Sequence, residues 1–101
     1  MIQQIEKRDG RCVFFDVTKI ANAIYKAAEA SGGHDYQMSM RLALDVADYV
    51  EAHSPTPTPS VEYVQDAVEK ILVESGHAKT AKAYILYRNE RSRQREMNTG
   101  L

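Results

Sequence analysis

The chain has 101 residues, of which 44% are hydrophobic and 27% are charged, and its formal net charge is −1. These values are typical of one small globular domain, and the charge balance argues against a general electrostatic attraction to nucleic acid or membranes. The single cysteine, Cys12, excludes an internal disulfide and a cysteine-based zinc site.

A β-hairpin is the first element that the sequence predicts. Asp9-Gly10 lies between two strand-like runs, and this pair favours a two-residue type I′ turn with positive φ at both positions. Three cations, Lys7, Arg8 and Arg11, would then crowd the hairpin tip. Because like charges repel, a bound anion explains this crowding, and a solvated basic turn is the alternative.

Four amphipathic helices are predicted to follow the hairpin. Their apolar residues recur at i, i+3, i+4 and i+7, which is typical of helices that face a core. The predicted helices run from Val17 to Ala30, from Tyr36 to Ala52, from Ser60 to about Ser75 and from Ala78 to about Glu96. Asp16 is a suitable N-cap for the first helix and Ser60 for the third. Residues 54–59 carry three prolines, which forbid a helix and favour a stiff, extended connector.

The fourth helix carries a basic seam on its core-facing side. On a helical wheel, Arg88, Arg91 and Arg95 continue the apolar face, whereas Arg93 points elsewhere. The seam fits an anion site where this helix meets the hairpin. The alternative is that the helix emerges from the core and its last turns are solvated on every face. Arginines near a helix C-terminus would then be explained by the helix dipole.

Two more polar residues could reach a ligand. Gln65 lies at the edge of the apolar stripe of the third helix, where its amide would bond either backbone or the polar edge of a ligand. Its neighbours Asp66 and Glu69 are interpreted as solvated charges. Lys19, in the first turn of the first helix, is either solvated or able to reach a bound phosphate.

Catalytic and targeting motifs are not found in the sequence. His34, His53 and His77 are isolated, and no Gly-rich phosphate loop of the Walker or Rossmann type occurs. We therefore expect no enzymatic activity. The start of the chain lacks the features of a signal peptide, and the longest apolar run is too short to span a membrane, so we expect a cytoplasmic protein.

Four motifs, in this order, resemble the ATP-cone domain, the nucleotide-sensing module of ribonucleotide reductases. They are Lys7-Arg8-Asp9-Gly10, Phe15-Asp16 with Lys19-Ile20-Ala21-Asn22-Ala23-Ile24, Val61-Glu62-Tyr63-Val64-Gln65-Asp66-Ala67-Val68-Glu69 and Ala81-Lys82-Ala83-Tyr84-Ile85-Leu86-Tyr87-Arg88. The last two are most similar to cones of anaerobic (glycyl-radical) or cobalamin-dependent reductases. The resemblance covers about residues 3–95.

The resemblance implies an α+β fold in which a small N-terminal β-hairpin or three-stranded sheet caps a four-helix bundle. It implies a single domain over residues 1–101, with a frayed tail at 96–101. ATP or dATP would be the allosteric ligand, accompanied by Mg²⁺, with no metal site on the protein. The partner would be a ribonucleotide reductase catalytic domain or another cone, including a second copy of this chain, and neither nucleic acid nor a membrane.

In this interpretation the chain is a regulatory domain that controls reductase activity or oligomerisation. It is either a stand-alone cone or the N-terminal domain of a longer parent protein, for which a ribonucleoside-triphosphate reductase is the candidate. The resemblance also assigns nucleotide contacts residue by residue. The residues implied at the phosphates are Lys7, Arg8, Arg88 and Arg91. Those implied at the base and ribose are Val13, Phe15 and Asp16. The remaining implied contacts are Lys19, Ile20 and Gln65.

Two other functions stay open at this point. A cone that has lost its ligand would act as a protein–protein interaction module. The arginine stripe of the fourth helix would suit a small nucleic-acid binder, although the net charge of −1 argues against it.

Overall fold

The computed structural model describes residues 2–99. Its elements are β1 (Gln4–Glu6), β2 (Cys12–Phe14), α1 (Val17–Ala30), α2 (Tyr36–His53), α3 (Val61–Glu74) and α4 (Ala78–Thr99). The predicted hairpin followed by four helices is confirmed. Helix α4 continues to Thr99, past the end near Glu96 that the sequence suggested, and residues 100–101 of the expected tail lie outside the described residues.

The sheet formed by residues 2–99 has two antiparallel strands and not three. The only further ladder contact of these residues is a single parallel bridge between Glu6 and Ser60. In it, the amide of Glu6 donates to the carbonyl of Pro59 at 2.9 Å. The proline-rich connector before α3 cannot extend this pairing into a strand, because proline has no amide hydrogen to donate.

The hairpin turn differs from the two-residue type I′ turn that we expected. The amide of Gly10 donates to the carbonyl of Lys7 at 2.9 Å, and the amide of Lys7 donates to the carbonyl of Arg11 at 2.7 Å. Gly10 has a φ of +88°, whereas no described residue other than glycine has a positive φ. The turn is therefore a three-residue loop from Arg8 to Gly10 that ends in a glycine bulge.

The Asp9 carboxylate neutralises one of the three hairpin cations. It accepts hydrogen bonds from the backbone amide of Arg11 at 3.1 Å and from its guanidinium at 2.7 Å. These bonds hold the pKa of Asp9 below its ordinary value. Arg11 is thus paired within the loop, which leaves Lys7 and Arg8 as the cations available for contacts elsewhere.

The core lies between the four helices. Helix α1 packs against α2 and α4, and α3 packs against the same two helices. The largest fully buried side chains are Ile24, Val46, Val50, Val68 and Leu72. Apolar hairpin residues, Ile5 among them, pack against this core.

Two N-caps determine where the hairpin meets the helices. The Asp16 carboxylate accepts from the amide of Thr18 at 3.0 Å, and the Ser60 hydroxyl accepts from the amide of Tyr63 at 3.1 Å. Both caps were predicted from the sequence. They place the starts of α1 and α3 next to the hairpin.

No helix within residues 2–99 combines the length and apolar character needed to cross a bilayer.

Candidate functional site

Two adjoining cavities lie between the hairpin and helices α1, α3 and α4. The first, which we call the apolar chamber, has a volume of about 210 Å³, and the second, the basic chamber, about 170 Å³. Each is far larger than the roughly 10–15 Å³ that one water molecule needs. We call the residues that line both chambers the neck; they are Lys7, Ala23, Val61, Gln65 and Tyr84.

The walls of the apolar chamber are mainly aliphatic and aromatic. Strand β2 and the starts of α1 and α3 supply most of them, including Ile5, Val13, Phe15, Ile20, Val64 and Val68. Phe14 also lines this chamber, although 80% of it is exposed. Such a lining suits the flat, apolar faces of a ring system.

Besides Lys7 of the neck, two charged side chains interrupt the apolar lining. Asp16 and Lys19 both line the chamber, one turn apart at the start of α1. Because Asp16 also caps α1, its carboxylate is fixed in position. Three candidate base and ribose contacts, Val13, Phe15 and Asp16, therefore lie together in one cavity with Lys19 and Ile20.

The basic chamber is lined by Lys7 and by three arginines of α4, Arg88, Arg91 and Arg95. These are the arginines that the helical wheel places on the core-facing side. Arg93 lines neither chamber; it is 74% exposed at its side chain and lies 3.8 Å from Glu90. The chamber therefore concentrates positive charge although the chain as a whole is nearly neutral.

Lys7 and Arg91 carry charges that no carboxylate of residues 2–99 neutralises at ion-pair distance. The ammonium of Lys7 makes no side-chain hydrogen bond within that part of the chain. Arg91 donates to the hydroxyl of Tyr87 at 3.2 Å, and its guanidinium lies 5.9 Å from the centre of the same ring. Both groups can therefore bind an anionic ligand without breaking an existing ion pair.

Arg88 is held by two carboxylates of α3. Its guanidinium donates to Asp66 at 2.8 Å and to Glu69, and only 17% of its side chain is exposed. Partial burial lowers the pKa of Arg88, but the hydrogen bonds to both carboxylates outweigh burial and raise it above its ordinary value. Asp66 remains 70% exposed, as expected for a solvated charge, although it pairs with Arg88. The same expectation is wrong for Glu69, whose side chain is only 26% exposed and is held in this ion-pair cluster.

Arg8 lies outside both chambers. Its Nε is 2.7 Å from the carboxylate of Glu62, and its Nη2 donates to the Ser92 hydroxyl at 3.0 Å. Arg8 thus ties the hairpin to α3 and α4. The phosphate contact that the resemblance implies for Arg8 is untested, and it would require Arg8 to leave Glu62 and Ser92.

The neck holds two polar side chains with unusual surroundings. The Oε1 atom of Gln65 is buried and has no hydrogen-bond partner among residues 2–99. Tyr84 is only 6% exposed, and burial raises the pKa of its hydroxyl to about 12 despite the opposing charge of Arg88. An unpaired buried acceptor costs free energy, so the Gln65 oxygen is suited to a ligand.

Sequence reasoning did not identify Tyr84 as a site residue, because it continues the apolar face of α4. One signal was available. A tyrosine on an otherwise aliphatic face carries a hydroxyl that needs a partner when it is buried.

Within residues 2–99, no cluster of three or more histidine, cysteine or acidic side chains is arranged to hold a metal ion.

The sequence matches the family model of the ATP cone domain over residues 3–93. It is 43% identical over 103 residues to a vitamin B12-dependent ribonucleoside-diphosphate reductase of Thermoplasma acidophilum. It is 35% identical over 96 residues to an anaerobic ribonucleoside-triphosphate reductase of Salmonella typhimurium. Each alignment covers 95% of this chain but only 13% of the relative.

A vitamin B12-dependent ribonucleoside-diphosphate reductase of Mycobacterium tuberculosis is 36% identical over 89 residues, which cover 88% of this chain and 12% of the relative. The chain therefore corresponds to a small part of each of these reductases. The family match includes the hairpin and every residue that lines the two chambers except Arg95. From this match we conclude that the chain belongs to the ATP-cone domain family.

Proposed function

We propose that this chain is a regulatory domain that binds ATP or dATP and thereby controls a ribonucleotide reductase. The observation that carries the proposal is that an apolar chamber and a basic chamber adjoin each other and share the lining residues of the neck. A nucleoside triphosphate has the same division, with an apolar ring system at one end and a strong negative charge at the other. The family membership supports the same ligand class.

The adenine base would occupy the apolar chamber. Val13, Phe15 and Ile20 offer it apolar contacts, and Lys19 lies in the same cavity. The fixed carboxylate of Asp16 is an acceptor suited to the exocyclic amine of adenine. Each Å² of apolar surface that a purine base removes from water here would contribute about 25 cal/mol to the free energy of binding.

The phosphates would occupy the basic chamber. Lys7 and Arg91 can bind them directly, whereas Arg88 can do so only in competition with Asp66 and Glu69. Mg²⁺ would arrive with the phosphates, since this ion is usually held by phosphate oxygens and water. Charge-assisted bonds of about 1.5–3 kcal/mol each, less the cost of association, give an affinity in the micromolar range.

The regulatory part of the proposal rests on the relatives. Their names describe them as reductases, and this chain corresponds to about 13% of the first two. Occupancy of the chambers would link the hairpin, α3 and α4 through one ligand. The surface that the cone offers to a catalytic domain or to a second cone would then depend on the nucleotide.

Calorimetric titration with ATP and with dATP, each with Mg²⁺, tests this function directly. We expect micromolar binding of at least one nucleotide, and light scattering of each complex would report any change in assembly. If neither nucleotide gives heat or shifts the melting temperature, the proposal is wrong and the chain is better explained as an interaction module.

Arg8→Ala should weaken ATP binding only about two- to fivefold. Arg8 contacts Glu62 and Ser92 at the surface, with 35% of its side chain exposed, and exposed ion pairs contribute about 0.2–1 kcal/mol. Glu62→Ala removes the same ion pair and should cause a similar loss in the same titration. A much larger loss in Arg8→Ala alone would instead place the Arg8 guanidinium on the phosphates.

A further inference from the structure

We propose that Asp66 and Glu69 of α3 lower the affinity of this domain for its nucleotide, because they compete with the phosphates for the charge of Arg88. Neither carboxylate lines a chamber, so both would tune a ligand that they do not touch. This inference rests on the proposed function, since it requires phosphates in the basic chamber.

Arg88 is shared between the basic chamber and α3. It lines the chamber, and one nitrogen of its guanidinium, Nη1, donates both to Asp66 at 2.8 Å and to Glu69. Asp66 and Glu69 are three residues apart on α3, a spacing that places them on the same side of the helix. Two carboxylates around one guanidinium leave an excess of negative charge. A phosphate that approaches Arg88 therefore meets a cation that is already neutralised.

Burial explains why Arg88 needs these partners when no ligand is bound. Only 17% of its side chain is exposed, whereas Arg91 of the same chamber is exposed. Water compensates the charge of Arg91, but it reaches Arg88 less well, so an unpaired Arg88 would cost free energy. The carboxylates of α3 thus serve as counter-ions for Arg88 in the ligand-free domain, and bound phosphates would take over that role.

Removal of one of these carboxylates should strengthen nucleotide binding, because more of the Arg88 charge is then available to the phosphates. Glu69 should have the larger effect. Its side chain is 26% exposed and that of Asp66 is 70% exposed, and water screens the more exposed group. A purely structural role predicts the opposite sign, since a looser contact between α3 and α4 would weaken binding.

Glu69→Gln tests this competition, because it removes the charge and keeps an oxygen that can accept from Arg88. In calorimetric titration with Mg²⁺ we expect it to bind ATP about three- to tenfold more tightly than the unmodified chain does. Its melting temperature without ligand should fall by a few degrees, since an ion pair between α3 and α4 is lost.

Asp66→Asn is the second variant. Because Asp66 is mostly exposed, this change disturbs the fold least, and it should give a smaller gain in ATP affinity of about two- to threefold.

Glu74→Gln is the matched control on the same helix. Glu74 pairs with Lys70 at 2.6 Å and lines neither chamber. The variant removes the same charge from α3 as Glu69→Gln does, and its ATP affinity should equal that of the unmodified chain. An equal gain in the two variants would show that the net charge of the chain sets the affinity, and that competition for Arg88 does not.

The Arg88→Ala background separates competition from direct repulsion. Without Arg88, the carboxylate of Glu69 acts on the phosphates only through space, and water and salt screen that repulsion. We therefore expect Glu69→Gln to raise ATP affinity by no more than about twofold in this background. A gain as large as in the unmodified chain would overturn the competition, because the carboxylate would then repel the phosphates without involving Arg88.

The remaining outcomes distinguish failure of the competition from failure of the proposed function. If the unmodified chain binds ATP and Glu69→Gln binds it equally well or more weakly, the competition is wrong and the nucleotide site stands. If neither of the two chains binds ATP, the proposed function fails and the competition fails with it.

Discussion

Lys7→Ala should weaken ATP binding about ten- to hundredfold while the helical circular dichroism signal stays the same. The Lys7 ammonium lies in the neck, lines both chambers and makes no ion pair within residues 2–99. Its positive charge is therefore available to the phosphates. A hydrogen bond to a charged group contributes about 1.5–3 kcal/mol, which corresponds to this range of affinities.

Lys26→Ala is the matched control for this prediction. Lys26 is exposed on α1 and lines neither chamber, so its removal changes the net charge equally without touching the site. Titration with ATP should give an unchanged affinity for Lys26→Ala. Equal affinities for the Lys7 and Lys26 variants would show that the phosphates bind away from the hairpin.

The helices could be predicted because their signals are local. The bounds of α1 were predicted correctly, since Asp16 caps its start and Gly32, with a φ of +92°, follows its end. The sheet was harder to predict. Asp-Gly fits both a type I′ turn and a type I turn followed by a glycine bulge, and the two turns differ in the backbone conformations of Arg8 and Asp9.

The faces of the site were also predictable, but the pairing of its charges was not. Helical periodicity places Arg88, Arg91 and Arg95 on one side of α4, and the structure brings all three to the basic chamber. The contacts of Arg88 with Asp66 and Glu69 join residues on different helices, so they depend on how α3 and α4 pack. No local pattern in the sequence encodes that packing.

Tyr84 shows the same limit of sequence-based prediction, although its burial was predicted correctly. A helical wheel assigns Tyr84 to the core, and the structure does bury it. Its position at the junction of the two cavities, next to Gln65, depends on how α3 packs against α4. A residue can therefore satisfy every criterion for a core position and still line a binding site, when the core is open at one end.

Arg88→Ala should affect both stability and ligand binding. Its removal leaves Glu69, which is only partly exposed, without its cationic partner and weakens the link between α3 and α4. We expect a loss of about 1 kcal/mol in the free energy of unfolding, which corresponds to a melting temperature lower by about 4–8 °C. ATP affinity should fall about tenfold, because the basic chamber loses a cation.

Arg93→Ala is the control on the same helix. Its exposed contact with Glu90 at 3.8 Å contributes little, so both the melting temperature and the ATP affinity should stay within error of the unmodified chain. Thermal unfolding and titration of the two variants separate the roles of Arg88. A lower melting temperature with unchanged ATP affinity would mean that Asp66 and Glu69 retain Arg88 when the nucleotide binds. Equal effects of the two variants would contradict the assignment of Arg88 to the inner face of α4.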